Sequence, residues 1–249
     1  MSLRTTPIKG LDDVRAFFDR LAPVYRDCHG KAEKLLRYRL GIIARLLERA
    51  GHGSLVEIGC GTGMHLFPLA ARFERVHGTD LSPSMIEQAE HLRLGHPHGE
   101  RIRLSVAPAE SLSSVGDAEA DAVLSVGALE HMLDQRQALR EACRVLKPGG
   151  VFVCLTPNAE YVWYTRIAPW LRLSTKHLST DRFLGKKKLT DLLETAGFEV
   201  ERIGSWTFIP RGDMPPYLAR ILTLLDGVGR LLRVPSFRGG LYCRAARRG

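Results

Sequence analysis

Apolar positions recur at two different spacings along this chain of 249 residues, and the change of spacing divides it. Over Leu11–Leu21 and Lys31–Ala50 they fall at i, i+3 and i+4, with Leu35, Leu36, Tyr38, Leu40, Ile42, Ile43, Leu46 and Leu47 making one stripe. That is the period of helices with a single buried face. Gly51-His52-Gly53 ends the second of them. From Ser54 onward short apolar runs alternate with helical patterns. Strands are predicted at Ser54–Ile58, Arg75–Thr79, Arg101–Val106, Asp121–Val126, Val151–Leu155, Phe198–Phe208 and Gly240–Ala246. Helices are predicted near Met64–Phe73, from Pro83 to about Leu94, and over Asp134–Leu146, Lys186–Ala196 and Pro215–Arg233. Ser82 is placed as an N-cap with Pro83 at the first helical position, where its missing N–H costs nothing. Alternating strands and helices imply an α/β fold, a doubly wound, mostly parallel sheet of seven strands covered on both faces.

The rhythm breaks over residues 157–185, which hold Tyr161, Trp163, Tyr164 and Trp170. It breaks again over 209–236, a second insertion before the last strand. The expected organisation is an N-terminal helical cover, 1–50, then one domain, 51–249, with cap insertions at about 157–185 and 209–236.

Composition narrows the class. Hydrophobic residues make up 45% of the chain, enough for a buried core. The N-terminal residues lack the apolar core of a signal peptide, and no apolar run reaches the roughly 18 residues of a membrane span. A cytoplasmic protein is expected, with membrane association left open. Five scattered cysteines, Cys28, Cys60, Cys143, Cys154 and Cys243, form no C-x-x-C pair, so reduced thiols are expected. His96 and His98 lack carboxylate partners, and no metal site is expected. The net charge of +9 is spread along the chain without interleaved aromatics, so solvated helix faces, an acidic small molecule or an anionic surface account for it without nucleic acid.

The candidate chemistry gathers at Val56-Glu57-Ile58-Gly59-Cys60-Gly61-Thr62-Gly63. Three glycines between a buried strand and a helix let the backbone turn sharply and approach a ligand. The helix end behind them offers unpaired N–H groups. Cys60 and Thr62 supply the small side chains between. The spacing is G-x-G-x-G, not the G-x-G-x-x-G of dinucleotide sites. Asp80 ends the second strand on the same sheet edge, where a carboxylate can accept from two ribose hydroxyls. Glu57 sits at a buried position and is expected to pair with a positive group.

These segments, followed by His77–Ile86, Asp121–Met132 and Leu146-Lys147-Pro148-Gly149-Gly150, resemble the ordered motifs of class I S-adenosylmethionine-dependent methyltransferases. The Phe18–Tyr25 segment resembles the entry helix of their ubiquinone/menaquinone-biosynthesis-like (methyltransferase type 11) branch. The resemblance implies a Rossmann-like methyltransferase fold and S-adenosylmethionine as cofactor. It implies that Gly59, Gly61 and the loop around them hold the methionine part, that Asp80 holds the ribose, and that Leu81 and Met85 lie against the adenine. Ala109-Glu110 matches the adenine-facing turn, and Val126-Gly127 lines the inner side. Tyr25 and Arg39 are implied as contacts from the cover. Where the family often has an aspartate for the adenine amino group, this chain has Pro108, whose side chain cannot accept; Glu110 or a backbone carbonyl is then the substitute.

Methyl transfer from a sulfonium depends chiefly on alignment, and needs a base only when the nucleophile arrives protonated. His131 is the candidate base; lining the site is its other reading. Tyr161, Tyr164 and His177 are candidate acceptor contacts. The apolar stripe in 215–233, with Arg220, Arg230 and Arg233 beside it, reads as packing on the sheet, as a dimer face, or as peripheral membrane contact and pocket wall for a greasy acceptor. The function expected is methylation, on oxygen or carbon, of a small and rather hydrophobic organic acceptor. RNA methylation and a noncatalytic binding module of the same fold are the competing readings.

Overall fold

The computed structural model describes residues 5–25, 32–208 and 216–249. Cys28 and the first residues of the second insertion lie outside them. The helical period at the N-terminus gives α1 (Leu11–Leu21), a short 3-10 turn at Ala22–Val24, and α2 (Ala32–Leu46). The alternation then gives β1 (Ser54–Ile58), α3 (Leu66–Leu69), β2 (Arg75–Asp80), α4 (Pro83–Leu94), β3 (Ile102–Val106), β4 (Ala120–Val126), α5 (Gln135–Val145) and β5 (Leu146–Pro157). Beyond it come a π-helical turn at Trp163–Ile167, α6 (Ala168–Trp170), α7 (Lys186–Thr195), β6 (Phe198–Trp206), α8 (Pro216–Leu231) and β7 (Gly240–Arg247).

All seven strands join one sheet in the order β3-β2-β1-β4-β5-β7-β6. The first five run parallel, and β7 runs antiparallel to both β5 and β6. The order reverses between β1 and β4, so the crevice outside their carboxyl ends is the switch point where doubly wound sheets take ligands. Every residue of β1 is buried, as a central parallel strand requires. One apolar cluster, holding Leu139, Val145, Phe152 and Phe198, covers one face. A second, with Ile43, Leu47, Leu55, Leu66 and Phe73, covers the other.

Local chemistry sets the boundaries. Ser82 Oγ accepts from the Met85 N–H at 3.1 Å, the predicted cap. Asp134 caps α5 by accepting from the Gln137 N–H at 3.0 Å. The predicted helix from Met64 shrinks to Leu66–Leu69, because the glycine loop continues as turns through His65. The Lys-Pro-Gly-Gly segment does stop α5, yet it already lies within β5, fixed by Lys147 Nζ on Asp121 Oδ1 at 2.8 Å. Among the described residues no helix is long and apolar enough to cross a membrane.

Candidate functional site

The turn after β1 is held by Thr79, whose carbonyl accepts from the N–H groups of Gly59 at 2.8 Å and Cys60 at 3.0 Å. The turn needs left-handed backbone, with φ of +69° at Gly59 and +52° at Gly61. A Cβ at Gly59 would stand 2.4 Å from the Ala128 Cβ. At Gly61 it would stand 3.4 Å from the Tyr25 ring, in the open space between the loop and the cover. The glycines thus make room for a ligand as well as a turn.

Asp80 closes the loop from the next strand. Its Oδ2 accepts from the Gly61 N–H at 2.8 Å and its Oδ1 from the Ser82 N–H at 2.9 Å. A carboxylate has about four lone-pair sites, so two remain for a diol. Burial raises the Asp80 pKa, and the Ser82 and Gly61 N–H groups pull it back.

Gly59, Gly61, Asp80, Leu81 and Met85 form one wall of an open cleft of about 640 Å³. Ala109, Glu110 and Gly127 line it further along, and Tyr25 enters from the cover, as expected from the sequence. Pro108 lines it too. Glu110 Oε1 accepts from the Leu133 and Asp134 N–H groups at 3.0 and 3.2 Å, so that oxygen is engaged with the start of α5. Glu57, Cys60, Thr62, Gly63, Val126 and Arg39 lie behind the lining.

Arg39 is buried, with its guanidinium carbon 5.5 Å from the centre of the Trp206 ring, and burial lowers its pKa. Among the described residues Glu57 meets no charged cationic side chain. His65 Nδ1 stands 3.5 Å away, but burial pushes the His65 pKa down to about 3, so the ring is neutral. Burial, with repulsion from Asp80, holds the Glu57 carboxyl well above the carboxylate range, against only the weak pull of the Leu66 N–H. Neither Glu57 oxygen forms a well-aligned hydrogen bond, and Thr62 Oγ1 and His65 Nε2 are likewise buried and unsatisfied. Polar groups orphaned behind a glycine loop suit a ligand that carries a cationic group. Burial also raises the Cys60 thiol pKa, which leaves it an inert filler.

The rest of the lining is apolar: Leu11, Val14 and Phe18 of α1, with Ala128 and Met132. His131 lines it among them. Its Nδ1 lies 2.7 Å from Asp181 Oδ1. Asp181 is fully buried, and its other oxygen accepts from the His177 and Leu178 N–H groups, each at 2.9 Å. A buried carboxylate can only accept, so Nδ1 carries the proton and Nε2 keeps a lone pair. Burial works against a charged His131, but the hydrogen bond to Asp181 and the charges of Glu130 and Asp181 outweigh it and raise the pKa. The same contact lowers the Asp181 pKa against its burial. The segment that carries Asp181 is tied to the N-terminus: Thr6 pairs with Leu178, and the Ile8 N–H donates to Ser179 Oγ at 2.9 Å.

Asp181 is the residue the sequence reading missed. It is the single carboxylate between Glu160 and Asp191, in a stretch without periodicity. That isolation was the available signal. Among the candidate acceptor contacts, the His177 ring stands 6.4 Å from that of His131, near the cleft. Tyr161 is fully buried with Trp163, Ala219 and Leu222, and Tyr164 packs on Phe183 at 4.7 Å; neither lines the cleft.

Comparison with known proteins agrees with this geometry. Residues 56–154 match the family model described as a methyltransferase domain. A probable S-adenosylmethionine-dependent methyltransferase of Mycolicibacterium smegmatis is 34% identical over 162 residues, 64% of this chain and 57% of that protein. The ubiquinone biosynthesis O-methyltransferase of Methylobacterium nodulans is 32% identical over 231 residues, covering 80% of this chain and 86% of that one. In fold, the chain superposes on the (4+2)-cyclase SpnF with a TM-score of 0.72 at 19% identity, covering 99% and 98% of the two chains. On the geranyl diphosphate C-methyltransferase of Streptomyces coelicolor the TM-score is 0.68 at 17% identity, covering 95% and 98%. With a relative above thirty per cent identity matched over most of its length, the chain belongs to the class I S-adenosylmethionine-dependent methyltransferases, in their ubiquinone-biosynthesis-like branch.

Proposed function

We propose that this methyltransferase methylates a hydroxyl group on a small, largely apolar organic molecule, with His131 as general base. The observation that carries the reading is the His131–Asp181 pair at 2.7 Å, its imidazole set among apolar residues of the same cleft as the glycine loop. When bound, S-adenosylmethionine supplies a methyl group on a cationic sulfonium, a good leaving group. The loop backbone at Gly59 and Gly61 and the Glu57 carboxyl behind it hold the methionine part. Asp80 holds the ribose through its remaining lone pairs. Leu81, Met85 and Ala109 pack the adenine, and the Pro108 departure leaves the adenine amino group to backbone acceptors. Tyr25 closes the site from the cover.

For the acceptor, Phe18, Leu11, Val14 and Met132 offer contact area without hydrogen-bonding partners, so apolar surface is favoured over sugar or nucleotide. A neutral hydroxyl is a weak nucleophile. His131 Nε2 takes its proton while Asp181 fixes the ring and stabilises the imidazolium that forms. Residues 1–50 act as a cover, since α1 supplies much of the apolar wall. The inserts at 157–185 and 209–236 act as a cap, the first of them bringing Asp181 to the site.

The test is transfer of labelled methyl to a panel of hydroxylated aromatics, isoprenoid alcohols and polar hydroxy compounds. Turnover is expected on the apolar hydroxyl compounds. Turnover restricted to polar acceptors or to nitrogen would overturn the reading.

A further inference from the structure

Among the described residues, none covers the outward face of α8. Its inner residues Ala219 and Leu222 pack on Tyr161, Trp163 and Ala168, so α8 and the 161–173 segment form one cap. Its outer residues are apolar too. Tyr217 is 62% exposed, Leu224 72% and Leu231 81%, with Ile221 and Val228 between them and Leu232 beyond. At steps of four and three residues they make a stripe along the whole helix. Trp170, on the other half of the cap, is 82% exposed.

Charge decides what such a stripe can meet. Residues 216–236 carry Arg220, Arg230 and Arg233, all exposed. Their sole carboxylate, Asp226, is buried, accepting from Arg238 at 2.7 Å and from Thr207 Oγ1 at 2.7 Å. Residues 161–180 add exposed Arg166, Arg172 and Lys176, and no carboxylate. A second copy of the chain would bring arginine to arginine around the stripe, and residues 161–180 and 216–236 expose no acid to compensate. An anionic surface would turn the same charges into attraction. At 16 residues the helix is about 24 Å long, too short to span a bilayer and suited to lie in its interface.

We infer that the cap docks on an anionic lipid surface, with Tyr217, Ile221, Leu224, Val228 and Leu231 entering the acyl boundary. The flanking arginines meet the lipid phosphates. This inference does not depend on the acceptor's identity. It concerns the same cap strand that runs on to Asp181.

The experiment is sedimentation of the full chain with phosphatidylcholine vesicles, alone and with about a third phosphatidylglycerol. Binding is expected to the mixed vesicles and to weaken steeply with added salt. Arg220→Gln and Arg230→Gln should each weaken it roughly 5-fold. The double variant Leu224→Asp/Leu231→Asp should abolish it. Both leucines are exposed, so the fold and the binding of S-adenosylhomocysteine should be unchanged. Equal binding to both vesicles, or none to either, overturns the inference. So does a tight dimer in solution that the same double variant dissociates, since the stripe would then belong to a second copy.

Discussion

His131 Nδ1 donates to Asp181 Oδ1 across 2.7 Å, joining residues fifty positions apart at the wall of the cofactor cleft. The contact fixes the imidazole tautomer, leaves Nε2 as the acceptor, and makes the ring a stronger base than free histidine. His131→Ala should therefore lower kcat about 100-fold or more, while the Kd for S-adenosylhomocysteine stays within a few-fold. A variant with kcat unchanged would leave His131 a mere lining residue. Steady-state kinetics beside calorimetry separates the two.

The pH dependence follows from the same pair. His131 must be neutral to act, and its pKa is raised, so kcat should climb with pH through a midpoint above the ordinary histidine value. Asp181→Asn removes the carboxylate and should move that midpoint to lower pH while also lowering the plateau. Stability should carry the complementary signature. The raised His131 pKa contributes stability that is full below the unfolded histidine value and lost as pH rises through the folded one. The lowered Asp181 pKa contributes stability above the unfolded aspartate value, lost as pH falls through the folded one. Wild type minus Asp181→Asn, followed as Tm, should be largest between those limits and shrink on both sides.

Two glycines of the loop should respond differently. Gly59→Ala places a methyl 2.4 Å from the Ala128 Cβ on a backbone at φ +69°, so it should cost about 2 kcal/mol or more in stability. Gly61→Ala meets its nearest neighbour at 3.4 Å and enters the cleft. Its main effect should be on ligand affinity, about a 10-fold rise in Kd, with a smaller loss in Tm. Denaturation curves and cofactor titrations on the two variants check the contrast.

Burial raises the Glu57 pKa well above the usual carboxylate range. Glu57→Gln should therefore gain stability relative to wild type as pH rises above the ordinary glutamate value, because there the unfolded wild-type chain ionises while the folded one keeps its proton. Cofactor affinity should fall, since a neutral amide cannot become the partner of the methionine ammonium. Urea denaturation across pH, with the same titration, tests both halves.

Much of this was legible in the sequence because it rests on local patterns. The alternation of apolar runs and helical stripes located every strand of the sheet. The glycine loop and Asp80 gave one wall of the cleft, since β1 and β2 are neighbours and their ends meet. What escaped depended on long-range packing. His131, in the 3-10 turn after β4, acquires its partner from a stretch with neither helical nor strand period, anchored by Thr6 and Leu178. Among the described residues the polar neighbour of Glu57 is His65, which is buried too deeply to keep a charge. Arg39, read as a contact from the cover, also lies over Trp206, a ring far along the chain that no local pattern ties to it. Tyr161 packs with the α8 residues Ala219 and Leu222, and Tyr164 on Phe183, contacts between distant segments that no local pattern announces.

The central claim is that His131, held by Asp181, removes the proton from an acceptor hydroxyl. A series of phenols of falling pKa, assayed at one pH with wild type and His131→Ala, tests it most directly. A base matters only while the nucleophile is protonated. The ratio of the two kcat values should begin at about 100 for the weakest acids and fall toward unity once the phenol is ionised in solution. A ratio that stays constant across the series would contradict the account.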